Sequence, residues 1–273
     1  MRARTSYLVA LANGARWPRR YSRVWAVSIT LSIVVPAYNE SARIRLTIDG
    51  LRAFAASYDA SCELIVVDDG SRDDTAARAA SLLAGLPWAR VISYQPNRGK
   101  GFAVRRGVAA TTGEYVLFTD ADLSTPMTEL PRALALLRNG NDIVVGSRAG
   151  GATVIRHQPL FRRIAACLFN LIRDSLVGNT GVIDSQCGFK LFRGPTGRDI
   201  FRRQRVDRFM FDSETLFIAS RLGYRVAEMP VTWADVPGSK VRVVRGALEL
   251  VPELLSIRLR HGHLSPRDRA TTA

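Results

Sequence analysis

This 273-residue sequence predicts an α/β fold built on a mostly parallel sheet, and three observations lead there. Short β-branched runs alternate with stretches of helical periodicity from Thr30 to Val145. The runs are nearly all apolar, as strands covered on both faces are. A hydrophobic content of 47% supplies a large core in one domain, or in one domain with an appendage. Ligands of such sheets gather at the carboxyl ends of the strands, so the residues that follow each run are where chemistry is expected.

The elements follow in order. Leu31-Ser-Ile-Val-Val35 is the first strand and ends in Pro36. Ile44, Ile48, Leu51, Ala55 and Tyr58 recur at spacings of four, three, four and three, which is one face of a helix. Glu63-Leu-Ile-Val-Val67 is the second strand. Asp73 to Leu83 reads as a helix with Asp73 and Asp74 at the positive end of its dipole. Arg90 to Tyr94 and Glu114 to Phe118 are strands, separated by a helix from about Gly101 to Ala110. A helix near Met127 to Arg138 and a strand from Asp142 to Val145 complete the series, with no internal repeat.

Charge and cysteine usage narrow the function classes. A net charge of +15, from 39 Lys+Arg against 24 Asp+Glu, draws anionic partners: nucleic acid, phosphate-bearing substrate or acidic membrane. The arginines are scattered and no RNP, zinc or helix-turn-helix pattern is present, which counts against nucleic acid. Cys62, Cys167 and Cys187 are odd in number and lack CxxC spacing, so neither a disulfide framework nor a zinc site is expected, and a reducing compartment is the simplest reading. No apolar run reaches the roughly 18 to 20 residues that a bilayer span needs. Residues 1–29 read as a basic extension, because the first 28 hold six arginines and no acid.

Four carboxylates fall at strand ends: Asp68 and Asp69 after one strand, Asp120 and Asp122 after another. Like charges so crowded repel unless a cation or a donor offsets them. Strand alternation would put Asp120 and Asp122 on one side, where a hard divalent cation takes one or two carboxylates plus substrate phosphates. The competing reading is helix capping by Asp122 or Ser124 ahead of Pro126. Asn97-Arg-Gly-Lys-Gly101 offers amides and the Lys100 cation ahead of a helix, an anion site or a tight turn with a solvated lysine. It lacks the Walker A spacing, and no dinucleotide fingerprint follows the first strand.

These residues resemble the family 2 glycosyltransferases of the GT-A fold, a Rossmann-like nucleotide-binding architecture. Pro36-Ala-Tyr-Asn-Glu40 resembles their nucleotide-binding opening, Val67-Asp-Asp-Gly-Ser71 their second motif and Asp120-Ala-Asp122 their metal-binding DxD. Asn97 to Gly101, Val145-Gly-Ser-Arg148, Asp184-Ser-Gln-Cys-Gly-Phe-Lys-Leu-Phe192 and Phe211-Asp-Ser-Glu214 narrow the similarity to the dolichyl-phosphate β-glucosyltransferase subgroup of the polyprenyl-phosphate sugar synthases. The resemblance implies a GT-A domain over 30–240, with a nucleotide-sugar half (30–148) and an acceptor half (149–240); beyond it, residues 241–273 read from their own pattern as an amphipathic helix and polar tail.

Carried over by position, it implies that Pro36, Tyr38, Glu40 and Asp68 contact base and ribose, and that Asp120 and Asp122 bind the donor and Mg²⁺ or Mn²⁺. Lys100, Gln186, Lys190 and Glu214 join the substrate contacts, Arg148 faces the diphosphate, and Asp122, Asp212 and Arg148 are the candidates for catalysis. The mannosyl relatives often carry Gln as a further metal ligand where Ser124 stands here. For Asp212 and Glu214 the other reading is a pair of helix-surface carboxylates. The implied reaction is inverting transfer of a hexose, glucose by resemblance, from a UDP-sugar to a polyprenyl phosphate. UDP-GalNAc, GDP-mannose or a soluble acceptor are the alternatives.

The stretches Pro159 to Val177 and Gly246 to Leu259 set apolar residues beside arginines, among them Arg162, Arg163 and Arg173. Interfacial helices have this pattern, and so do core helices. The expectation is peripheral contact with the cytoplasmic face of a membrane, direct or through a membrane-protein partner.

Overall fold

A computed structural model describes residues 31–58, 61–149, 151–153, 170–178, 181–234 and 243–269. Residues 1–29, Arg162, Arg163, Cys167 and the last four residues therefore lie outside the described part. The strands are β1 (Leu31–Ala37), β2 (Cys62–Asp68), β3 (Ala89–Ser93), β4 (Tyr115–Thr119), β5 (Ile143–Ser147), β6 (Phe189–Arg193) and β7 (Val226–Pro230). They form one sheet in the order β3-β2-β1-β4-β6-β5-β7. Every pairing is parallel except those of β6, which runs antiparallel to both β4 and β5.

Alternation along each strand builds two cores. On one face Leu31, Ile33 and Val35 of β1 meet Ile48, Leu51 and Phe54 of helix α1 (Ile44–Ser57), Leu83 of α2 (Thr75–Leu83) and Leu134 of α4 (Leu130–Arg138). On the other, Val34 meets Val104 and Val108 of α3 (Lys100–Ala109), Phe201 of α5 (Gly194–Arg203) and Phe211 and Ile218 of α6 (Phe211–Arg221). The inner face of α1 turns on Phe54 rather than on the expected Ala55, which is half-buried. A third, smaller cluster seats Leu254 and Ile257 of α7 (Val243–His261) on Val206, Met210 and Phe217.

Strand-end loops are tied together at the carboxyl edge. The Asp69 N–H donates to Ala37 O (2.8 Å), Asn39 N–H to Ser71 Oγ (2.9 Å) and Glu40 N–H to Thr75 Oγ1 (2.8 Å). Asp73 accepts from the N–H and hydroxyl of Thr75, which starts α2 two residues later than expected. The segment holding Gly188, ahead of β6, enters the same edge, because Asp120 N–H donates to Gly188 O (3.0 Å).

Arg173 follows the core-helix alternative of its sequence reading. It is 2% exposed and lies in a helical stretch at 170–177. Its guanidinium donates to Val182 O, Ser185 Oγ and Asp174, so it braces the 182–185 segment.

Candidate active site

Strand β4 stops at Thr119, and Asp120 opens a turn closed by Leu123 N–H to Asp120 O (3.1 Å). Strand alternation therefore does not govern Asp122. Its Oδ1 accepts from Ser124 N–H (3.0 Å), while Leu123 takes a left-handed φ of 48°. Helix capping is not its role, since no side chain caps the 3₁₀ turn Met127–Glu129 behind Pro126. What groups the two carboxylates is Lys100. Its Nζ sits 2.7 Å from Asp120 Oδ1, and burial, which lowers its pKa, is outweighed by Asp120, Asp212 and Asp122, so the ammonium is held above its usual range.

A second buried pair lies alongside. Lys190 of β6, 1% exposed, donates to Asp212 Oδ1 (2.5 Å) and to Cys187 O (2.7 Å). Burial pushes the Asp212 carboxyl up, against the opposing pull of Lys190 and Lys100. Both ammonium groups stand over the ring of Phe118, at 5.2 Å for Lys100 and 5.7 Å for Lys190. Gly188 is required here, because a Cβ at that position would fall 1.8 Å from Asp120 Oδ2. The fragment Gln186-Cys-Gly-Phe-Lys190 is thus shaped around Asp120.

Asp68 and Asp69 part ways. Asp69 accepts from Tyr94 OH (2.8 Å), from Asn97 Nδ2 (2.7 Å) and from the N–H groups of Arg98 (2.9 Å) and Gly99 (2.9 Å). The Arg98 and Gly99 amides that the sequence offers to an anion are therefore engaged by Asp69, while Lys100 reaches Asp120. Gly101 packs so tightly that a Cβ would sit 2.6 Å from Val206 O. Asp68 is 1% exposed; its Oδ2 accepts from Ser93 Oγ (2.9 Å), but its Oδ1 is buried with no partner among the described residues. Gln186 Nε2 is a second such atom.

Arg148 follows β5 and is locked to Asp184 by Nε (2.7 Å), Nη2 (2.8 Å) and its own N–H (2.9 Å). Burial works against both charges. The bidentate contact more than offsets it, lifting the guanidinium above and drawing the carboxyl below their usual ranges. Asp184 is itself oriented by Glu228 of β7, which accepts from Asp184 N–H (2.8 Å) and Ile183 N–H (2.9 Å). Beneath Arg148, burial pushes the Cys187 thiol up to about 11. At the β1 end Pro36 is buried, Tyr38 is half-buried, and Glu40 pairs with Arg43 (2.7 Å).

One sequence expectation is corrected. Neither Asp212 nor Glu214 is a helix-surface carboxylate, at 2% and 0% exposure. Glu214 accepts from Arg205 N–H (2.9 Å), Val206 N–H (2.8 Å) and His261 Nε2 (2.7 Å), and so fastens α7 to α6. Sequence reasoning had assigned no role to Glu228 or Asp184. The signal was faint, an acid in a short strand and another at the start of a motif.

A family model described as Glycosyl transferase family 2 matches residues 32–201. A dolichyl-phosphate β-glucosyltransferase of Dictyostelium discoideum is 33% identical over 247 residues, covering 86% of this chain and 75% of that protein. One of Homo sapiens is 35% identical over 245 residues, with 85% and 75% covered. Among solved structures, glucosyl-3-phosphoglycerate synthase of M. tuberculosis superposes with a TM-score of 0.62 at 26% identity, covering 90% of this chain and 85% of that one. A crystal form of the Mycobacterium tuberculosis enzyme holds Mn²⁺, UDP and glucosyl-3-phosphoglycerate, with a TM-score of 0.59 at 26% identity over 86% of this chain and 80% of that one. With its one antiparallel strand and its acidic sheet edge, the chain belongs to glycosyltransferase family 2 and has the GT-A fold.

Proposed function

We propose that the protein transfers glucose from UDP-glucose to dolichyl phosphate or a related polyprenyl phosphate, inverting the anomeric carbon. The observation that carries this reading is the charge balance at the β4 edge. Among the described residues the interactions given for Asp120, Asp122, Asp212 and Asp184 set these four carboxylates against three cations, Lys100, Lys190 and Arg148, in one linked cluster. A divalent cation would more than offset that excess and leave positive charge facing the donor phosphates. Among the described residues no three His, Cys, Asp or Glu side chains form a cage of their own, which suits Mg²⁺ or Mn²⁺ held by Asp120, Asp122 and donor phosphates. When bound, the cation would offset the charge that develops on the departing diphosphate.

The remaining roles fall to the chain itself. The unpartnered Asp68 Oδ1 is an acceptor suited to a base N–H, beside Pro36, Tyr38 and Glu40. Gln186 Nε2 supplies a buried donor for a sugar hydroxyl or phosphate oxygen. Arg148 lends positive charge while Asp184 orients it. The acceptor phosphate has a second pKa near about 6 and is already largely dianionic, so no strong base is needed. Asp212 then acts by holding Lys190.

Contact with the lipid surface is assigned to α7. Its inner residues Leu254 and Ile257 are buried, whereas Val251, Leu255 and Leu259 are exposed at 38%, 43% and 84% along one outer stripe beside Arg258. No helix among the described residues is long and apolar enough to cross a membrane. Such a stripe suits an interfacial helix.

A soluble phosphorylated acceptor is the second reading, favoured by the glucosyl-3-phosphoglycerate synthase neighbours. The test is incubation with radiolabelled UDP-glucose, UDP-GalNAc or GDP-mannose and either dolichyl phosphate or 3-phosphoglycerate, with Mg²⁺, Mn²⁺ or chelator. Metal-dependent label in the organic phase from UDP-glucose is the expected result. Label only in the aqueous phase would move the assignment to a soluble acceptor.

A further inference from the structure

The structure carries a strongly basic cavity away from the nucleotide edge, and we propose that it is a second anion site that takes a phosphate or diphosphate group. It measures about 470 Å³ and is lined by Arg203, Arg205, Arg260, His261, His263 and Leu264. Among the described residues no acid lines it, and the two carboxylates paired with its lining residues, Asp199 with Arg203 and Glu214 with His261, are each engaged by further donors. Glu214 is taken by two backbone N–H groups and His261, Asp199 by Arg202, Arg203 and the Tyr224 hydroxyl, and Asp268 by Ser265.

Donors remain available in it. Arg260 and His263 are exposed and make no hydrogen bond or ion pair among the described residues. Arg205 uses Nη1 on the carbonyls of Arg202 and Gln204, which leaves its other N–H groups open. Arg203 is the most committed of the arginines, to Asp199 and to Asp268 O. The cavity is also preformed, because Arg221 donates to Gly262 O (2.7 Å) and Leu264 O (2.9 Å) while His261 is held by Glu214. A rigid concave surface with cations on several sides and no anion concentrates positive potential, and guanidinium groups match phosphate oxygens in geometry. None of the residues assigned to the donor site lines it, so the inference stands apart from the proposed reaction.

The phosphate could belong to a free metabolite or to a lipid headgroup, and the experiment separates the two. Inorganic pyrophosphate is titrated calorimetrically into the full chain in chelator, so that metal-dependent binding at the β4 edge is silent. Saturable binding is expected, weakened about tenfold or more for each donor side chain removed in Arg260→Ala and in Arg260→Ala/His263→Ala, and retained in Arg260→Lys. Mn²⁺-dependent UDP affinity should stay unchanged in all of them, which also reports folding. A parallel sedimentation uses phosphatidic acid and phosphatidylcholine vesicles with an L255S/L259S chain, so that the outer stripe of α7 does not contribute. Retention on phosphatidic acid that is lost with Arg260 and His263 assigns the site to headgroups. Pyrophosphate binding without retention assigns it to free phosphate. Equal pyrophosphate affinity in the wild type and the double variant, or no saturable binding at all, overturns the proposal.

Discussion

The end of β2 and the first turn of α6 each present two carboxylates close in sequence, and each pair divides in the same way. At β2, Asp69 is filled by a hydroxyl, an amide side chain and two backbone N–H groups, while its neighbour Asp68 keeps one buried oxygen without a partner among the described residues. At α6, Glu214 is filled by two backbone N–H groups and His261, while Asp212 faces Lys190. The regions differ in how the second acid is kept. Asp68 is left with an open acceptor, whereas Asp212 is neutralised by a buried cation. A carboxylate saturated by N–H groups is a fastening; one left open, or paired with a cation beside other carboxylates, is placed to meet a ligand.

Four substitutions break or sharpen that contrast. Lys190→Met should have the largest effect, since it strands Asp212 in the interior at a cost of about 4 kcal/mol in unfolding free energy. The companion Lys190→Met/Asp212→Leu should recover most of it in urea melts, and failure to recover would mean that Lys190 contributes packing and not charge compensation. Asp122→Asn comes next, with turnover reduced about 100-fold, equivalent to about 3 kcal/mol, and an unchanged melting curve. Full activity of this variant, or full activity in excess chelator, would remove the metal from the reading.

Glu214→Gln should cost about 2 kcal/mol in stability, because an amide cannot serve two N–H donors and the imidazole together. Its UDP affinity should not move; a fall in UDP affinity at wild-type stability would return Glu214 to the substrate contacts. Asp68→Asn is the mildest. It should weaken UDP binding about tenfold, or about 1.4 kcal/mol, with little change in melting. The reverse outcome, lost stability with intact binding, would make Asp68 a second Asp69.

Much of this was legible beforehand. The alternation from Leu31 to Val145 depends on local periodicity, so β1 to β5 and their helices lie within a few residues of where the sequence puts them. The antiparallel β6 between β4 and β5 was not legible, because strand order is a matter of long-range pairing and Phe189 to Arg193 carries no mark of direction. The motif at Gln186 to Lys190 was visible as a resemblance, but its physical reason, a carboxylate lying across Gly188, needs the fold.

The sequence by itself determined the fold class, the acidic strand ends, the excess of positive charge and the family to which these belong, since all are written in residue type and local spacing. Only the tertiary structure decided which carboxylate is a fastening and which is open. Asp68 and Asp69 are chemically identical neighbours, and so nearly are Asp212 and Glu214. Their roles separate because residues 22 to 47 positions away bring hydroxyls, an amide side chain, Lys190 or His261 to one member of each pair or the other. The same long-range packing buried Arg173, which the sequence pattern left open to an interfacial or a core helix, and left Leu259 exposed on the outer stripe of α7.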